Sequence, residues 1–189
     1  MSRAYRIKVR EAQNRVVKAK DHVSTQLEVL SILPPEQMAD LLAAALEERG
    51  FERCGDQLSR EEDVVVVVVD VTTGTVSVHT EGERAVTVEG DLDGYATDQA
   101  GEGAKRTREA LEKELHKKLD QQASGHEAKL QTEVTDRLEG KLSDLRKELD
   151  QVVNRVTAEA LKRKAAQLGQ IKELTEDPQT GNMTIVLEV

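Results

Sequence analysis

At 189 residues the chain has room for one sizeable core, or for one small domain with an appendage. Hydrophobic residues make up 38% and charged residues 33%, and the net charge is −9. Tyr5, Phe51 and Tyr95 are the whole aromatic complement, which argues against stacking on bases or sugars. The longest apolar run is Val64 to Val69, far short of the roughly 18 residues of a bilayer span, so no membrane span is expected. A polar, charged start predicts no signal peptide. Cys54 is the single cysteine, which excludes an intrachain disulfide and a cysteine-based zinc site and points to a cytoplasmic chain.

Charge is uneven along the sequence. Residues 1–50 carry a net +1, residues 51–100 a net −9, residues 101–170 a net +2 and residues 171–189 a net −3. No segment offers the one-signed basic surface that neutralising phosphates needs, so nucleic acid is not an expected partner. Arg3, Arg6, Lys8, Arg10, Arg15, Lys18 and Lys20 are the one candidate basic patch, and such charges on a strand pair ordinarily form a solvated face.

Residues 4–10 alternate, with Tyr5, Ile7 and Val9 on one face and Arg6, Lys8 and Arg10 on the other, the period of a half-buried strand. A second extended stretch is expected between Val16 and Ile32. Pro34-Pro35 stops it, and Pro35 opens a helix over Pro35–Arg49 with Met38, Leu41, Leu42, Ala45 and Leu46 at helical spacing and Gly50 as the stop. Strands follow at Phe51–Leu58, Val64–Asp70, Thr75–Thr80 and Ala85–Glu89. The β-branched valine run reads as a central strand buried on both faces. Asp70-Val-Thr-Thr-Gly74 is hairpin chemistry, and Glu81-Gly82-Glu83 reads as the next turn.

Residues 91–104 hold three glycines without apolar periodicity and read as a linker. Helical periodicity then runs for about 65 residues. Leu111, Leu115, Leu119 and Ala123 step by four, as do Leu130, Val134 and Leu138. Leu138, Leu142, Leu145, Leu149, Val152 and Val156 alternate steps of four and three, the 3.5-residue repeat of a coiled-coil seam. Glu109–Lys113, Glu114–Lys118, Glu133–Arg137 and Glu159–Arg163 supply supporting charge pairs. Gly125 suits either a kink or a turn between antiparallel arms, and the hairpin is the preferred expectation. Gly140 reads as an exposed position within the register. Gln170–Leu174 and Met183–Val189 predict a closing hairpin, whose Asp177 and Gly181 repeat the spacing of Asp70 and Gly74.

Chemistry is sparse. His22, His79, His116 and His126 are scattered without metal-ligand spacing, and Asp91-Leu-Asp93-Gly94 lacks the glycine position and closing glutamate of a calcium loop. There is no phosphate-binding glycine loop and no nucleophile elbow. Cys54 lies between Glu52 and Asp56, neighbours that disfavour a thiolate. No catalytic, metal or cofactor-binding residue is therefore nominated, and a non-enzymatic role is expected.

Ser2-Arg-Ala-Tyr-Arg-Ile-Lys-Val-Arg10, Leu30-Ser-Ile-Leu-Pro-Pro-Glu36 and Glu47-Glu-Arg-Gly-Phe51 together resemble accessory proteins of bacterial FtsH ternary systems, encoded beside a AAA+ ATPase and a von Willebrand A-type protein. The ending Asp177-Pro-Gln-Thr-Gly181 with Thr184-Ile-Val-Leu-Glu-Val189 is similar to the closing hairpin of small families found with such ATPases. The likeness covers about the first 50 residues and the last 20. It implies a non-catalytic partner in an ATP-driven conflict or protein-remodelling system, and it assigns no functional residues.

The sequence therefore predicts an α+β architecture. An antiparallel sheet with one covering helix occupies 1–90, a linker 91–104, a helical hairpin or coiled-coil arm 105–168 and a β-hairpin 169–189. Leu138, Leu142, Leu145, Leu149, Val152 and Val156 are the candidate interface, buried either against a protein partner, a second copy included, or against the chain's own residues 106–123. The second class of function is a small-molecule-binding or enzymatic α+β domain with its site on the N-terminal sheet.

Overall fold

The computed structural model describes residues 4–176 and 183–188. The elements in chain order are β1 (Tyr5–Gln26), α1 (Pro35–Glu47), β2 (Glu52–Cys54), β3 (Gln57–Glu62), β4 (Val65–Asp70), β5 (Thr75–Ala96), α2 (Glu102–Leu168), β6 (Gln170–Glu176) and β7 (Met183–Glu188). An antiparallel five-stranded sheet has the order β1-β5-β4-β3-β2, and β6 and β7 form a two-stranded sheet of their own. The chain divides into two compact units. One combines residues up to Lys20 with 81–135, the other residues 21–80 with 136–189, so β1, β5 and α2 each contribute to both.

In the first unit β1 and β5 form a ribbon, and its inner face meets α2. Val17 and Ala19 cluster with Leu130 and Val134, and Val88 clusters with Leu115, Leu119 and Ala123. Three β5 glycines lie under the helix: a Cβ at Gly82 would come within 2.8 Å of Val134, one at Gly90 within 2.9 Å of Leu115, and one at Gly94 within 3.0 Å of Leu111 and Thr107. Glycine is used there because the helix approaches the strand backbone too closely for any side chain. The turn expected at Glu81-Gly82-Glu83 does not occur; β5 runs through it. The stretch expected as a linker over 91–104 likewise holds the end of β5 and the start of α2. Only the short connection between them is irregular, and its Asp98 carboxylate accepts the Ala104 N–H at 2.8 Å, capping α2.

The outer face of this ribbon pairs the charges that sit apart in the sequence. Lys20 meets Glu81 at 2.6 Å, Lys18 meets Glu83 at 3.0 Å, Lys8 meets Asp91 at 2.7 Å, and Arg6 pairs with Asp93. A basic strand thus lies beside an acidic one.

In the second unit one sheet face carries the core. Leu58, Val65, Val67, Val69, Val76 and Val78 form one cluster with Met38, Leu41, Leu42 and Leu46 of α1 and with the second half of α2. Helix α1 forms as expected, with Pro at its first turn, and ends at Glu47 before Gly50 takes φ +82°. The valine strand is buried on one face only: Val65, Val67 and Val69 are buried, while Val66 and Val68 are half-buried. The register explains this, since Val66 lies between Glu61 and His79, and Val68 between Ser59 and Ser77, on the opposite side of an antiparallel sheet. The stretch expected as one strand over Phe51–Leu58 turns at Gly55, φ +65°, leaving Phe51 in the core. Asp70 closes the β4–β5 hairpin by accepting the N–H groups of Thr72 and Thr73 at 3.0 and 2.9 Å, as its sequence predicts. Those bonds hold the Asp70 carboxyl below its ordinary pKa, the Thr73 N–H contributing most.

Helix α2 is continuous from Glu102 to Leu168. The hairpin expected at Gly125 is not formed: buried Ala123 and Leu130 anchor the helix on either side, and that packing outweighs one glycine. The closing strands β6 and β7 appear where expected, with an irregularity between Ile171 and Glu173. The repeated turn at Asp177 to Gly181 lies outside the described residues.

Candidate interaction surface

All six residues of the predicted seam belong to the second unit. Leu138, Val152 and Val156 are no more than 2% exposed, Leu149 is 4% and Leu145 8%, and Leu142 packs half-buried at the margin of the same cluster. The seam therefore packs on the chain's own sheet and α1. The alternative of packing against residues 106–123 is not what occurs, because those residues cover the β1–β5 ribbon in the other unit. A 3.5-residue repeat registers only that one stripe of a helix is covered, and a flat sheet face can cover it as well as a second helix.

One ion pair is set into this core. Arg60 of β3 donates to both Glu148 oxygens at 2.7 Å and to the Arg49 carbonyl at 2.9 Å, and its guanidinium lies 4.5 Å from the centre of the Phe51 ring. The bidentate bond from Arg60 holds the Glu148 carboxyl below the usual carboxylate range, and the same bond raises the Arg60 pKa. Side-chain exposures of 15% and 23% make this the most protected pair described, and it fastens β3 to α2.

Other charges of α2 are also committed. Lys141 meets Glu62 at 3.4 Å, Arg155 meets Glu48 at 2.5 Å and Arg163 meets Glu159 at 3.3 Å. Of the pairs read from spacing, Glu114–Lys118 forms at 3.9 Å, whereas Glu133 turns to Arg84 of β5 at 2.6 Å. Five of the seven residues of the candidate basic patch are paired in the same way, and Arg3 lies outside the described residues. Arg6, Lys8, Lys18 and Lys20 face β5 carboxylates, and Arg15 meets Asp120 at 2.7 Å. Asp91 and Asp93, whose spacing does not make a calcium loop, are two rungs of that ladder, and the bond from Lys8 holds the Asp91 pKa down.

A cleft of about 730 Å³ has Val23 and Leu27 along one side, Val76 and Val78 as its floor, and Leu142, Leu145, Leu149 and Val153 of α2 as its wall. Polar groups rim it, among them Arg146, Asp150 and Asn154. The regular spacing of the leucines did not reveal this cleft, whose lining mixes buried Val76, Val78, Leu145 and Leu149 with part-exposed Val23, Leu27, Leu142 and Val153. Among the described residues no group of three or more His, Cys, Asp or Glu side chains is placed to hold a metal ion, and no helix is long and apolar enough to cross a membrane. Cys54 is exposed.

The family model for FtsH ternary system domain X5 matches residues 1–189. The chain belongs to this family. No curated protein and no solved structure matches it. Membership therefore extends over the ribbon, both helices and the closing strands, well beyond the two ends that carry the resemblance in the sequence. As a domain of a ternary system, the chain fits an accessory role among several components.

Proposed function

We propose that the chain is a non-catalytic adaptor of its ternary system, docking a protein component, with the AAA+ ATPase or the von Willebrand A-type protein of such systems as the partner. The observation that carries this reading is the whole-chain match to a domain of a multi-component system. Its surface chemistry supports it. Many ionic groups pair with neighbouring strands and helices, and the cleft beside the seam combines apolar side chains with a polar rim, a composition suited to protein docking. The test is to titrate the purified chain with each other purified component of the system by calorimetry. The reading expects a saturable complex with at least one of them; no complex with any component contradicts it.

A second reading takes the same cleft as a small-molecule site, since about 730 Å³ falls in the range of ligand cavities and its floor belongs to the sheet. That reading expects a metabolite or nucleotide to raise the melting temperature. A broad screen without a shift removes it.

A further inference from the structure

We infer that the free edge of β1 between Ala12 and Lys18 receives an extended, acidic strand of a partner component, added to the β1–β5 ribbon by backbone hydrogen bonds and flanked by α2. The inference rests on the adaptor reading and states how the partner is held.

Backbone direction is the first argument. β1 ends the sheet order, so among the described residues β5 pairs with one of its edges and no strand with the other. Leu27, just past β1, donates its N–H across the ladder to the Gly74 carbonyl, whereas the Lys20 carbonyl accepts from Gln131 Nε2 of α2 at 3.1 Å. Direction alternates along an antiparallel pair, and Lys20–Glu81, Lys18–Glu83 and Asn14–Thr87 keep one register, so Val16 and Lys18 turn their backbone groups the same way as Lys20. A groove of about 480 Å³ lies there, between Arg15 to Lys18 on β1 and the α2 stripe of Asp120, Ala123, Ser124 and Glu127. No β5 residue lines it, which puts it on the free side of β1. Its helix wall and its strand wall each run about 10 Å, the length of three to four extended residues.

Charge pattern is the second argument. Free strand edges are ordinarily guarded by charges, and the outer face of β1 carries Arg6, Lys8 and Arg10 toward one end and Lys18 and Lys20 toward the other. Ala12, Asn14 and Val16 between them are uncharged, and Val16 is 56% exposed. A strand added at this window therefore meets cations at both ends. β5 shows the answering chemistry on the opposite edge, where Glu81, Glu83, Asp91 and Asp93 face those cations. A second β1 would bring five more cations and no carboxylate to this face, and like charges across a strand pair oppose pairing. The occupant is thus a different chain with Asp or Glu at alternate positions, bound by strand addition with charge setting its register. Its other face meets Ala123 and Ser124, small residues that leave room for short side chains.

The test uses the full chain and the component that binds it in calorimetry, with amide exchange read residue by residue by NMR. In the free chain the Val17 N–H, committed to β5, is expected to exchange slowly and those of Val16 and Lys18 fast. Saturation with the component is expected to slow Val16 and Lys18 about tenfold or more. Val16→Lys, which sets a charge in the window at an exposed position, is expected to keep the wild-type melting temperature and weaken binding about tenfold or more. Raising salt to about 0.5 M is expected to weaken wild-type binding. Lys129→Glu, exposed on α2 outside the groove, is expected to leave affinity unchanged. Binding that leaves Val16 and Lys18 exchanging fast would overturn the inference while leaving the adaptor reading intact. Slowing of the same N–H groups with rising concentration of the chain alone would assign the edge to a second copy and overturn it as well. Failure of every component to bind the wild-type chain would overturn the adaptor reading and this inference with it.

Discussion

Gly82 of β5 lies directly beneath Val134 of α2, so close that a Cβ on the glycine would sit 2.8 Å from Val134 Cγ2 and 3.2 Å from Leu130 Cδ1. Valine has little freedom to turn away, being held at χ1 in a helix. Gly82→Ala is therefore expected to destabilise the first unit by about 1–3 kcal/mol through overpacking, although alanine normally suits a strand better than glycine. Gly140→Ala is the contrasting case: nothing lies within 4 Å of its Cβ, and helix propensity predicts a gain of about 1 kcal/mol. Urea unfolding of the two variants against wild type checks both signs.

Leu149 and Leu145 lie in the cluster that joins α2 to the valine strand. Leu149→Ala is expected to cost about 2–5 kcal/mol, the range for a leucine truncated in a packed core. Loss of that size by chemical denaturation, independent of protein concentration, supports packing within the chain. A loss under about 0.5 kcal/mol, the size of a surface substitution, would contradict it.

Glu148 predicts a particular dependence on pH. Its folded pKa is lowered by Arg60, so its contribution is fully present above the unfolded value of about 4.3 and is lost as pH falls through the folded value. Glu148→Gln is expected to cost about 2 kcal/mol near neutral pH, the charged part of the bidentate bond. The gap between wild type and variant should close on acidification below about pH 4. Stability measured over pH 3 to 7 reads that gap directly, and comparison with the variant removes the parallel contributions of Asp70 and Asp91, whose carboxyls are also held low.

The ladder between β1 and β5 predicts compensation. Lys8→Glu sets a carboxylate against Asp91 and is expected to lower the unfolding midpoint, more at low salt than at about 0.5 M, where screening is short-ranged. Adding Asp91→Lys reverses the pair and should restore most of the loss. Equal midpoints for single and double variants would show that the rung contributes nothing.

Local chemistry made several elements legible in the sequence. Pro35 with its helical apolar spacing specified α1, the Asp70–Gly74 turn specified its hairpin, and the leucine repeat marked the covered stripe of α2. What escaped was set by partners distant in the chain. Gly82 looks like punctuation until Val134, 52 positions later, is seen above it. The +1 and −9 segments were visible as numbers, while their alternation on facing strands became visible only with the pairing of β1 and β5. Gly125 marked a weak point correctly as propensity, but Ala123 and Leu130 on either side hold the helix through it. The cleft had no signal of its own, because its lining comes from β1, β5 and α2 residues far apart in the chain.

The leucine seam of α2 is consumed inside the chain's own core. Amide hydrogen exchange by mass spectrometry on the full chain at two protein concentrations tests this most directly. The account predicts that residues 138–156 and the β4 strand Val65–Asp70 share one level of strong protection, unchanged by concentration, as parts of one cooperative unit. Protection over 138–156 that grows with concentration, or that is lost while β4 stays protected, would make the seam an assembly surface and contradict the account.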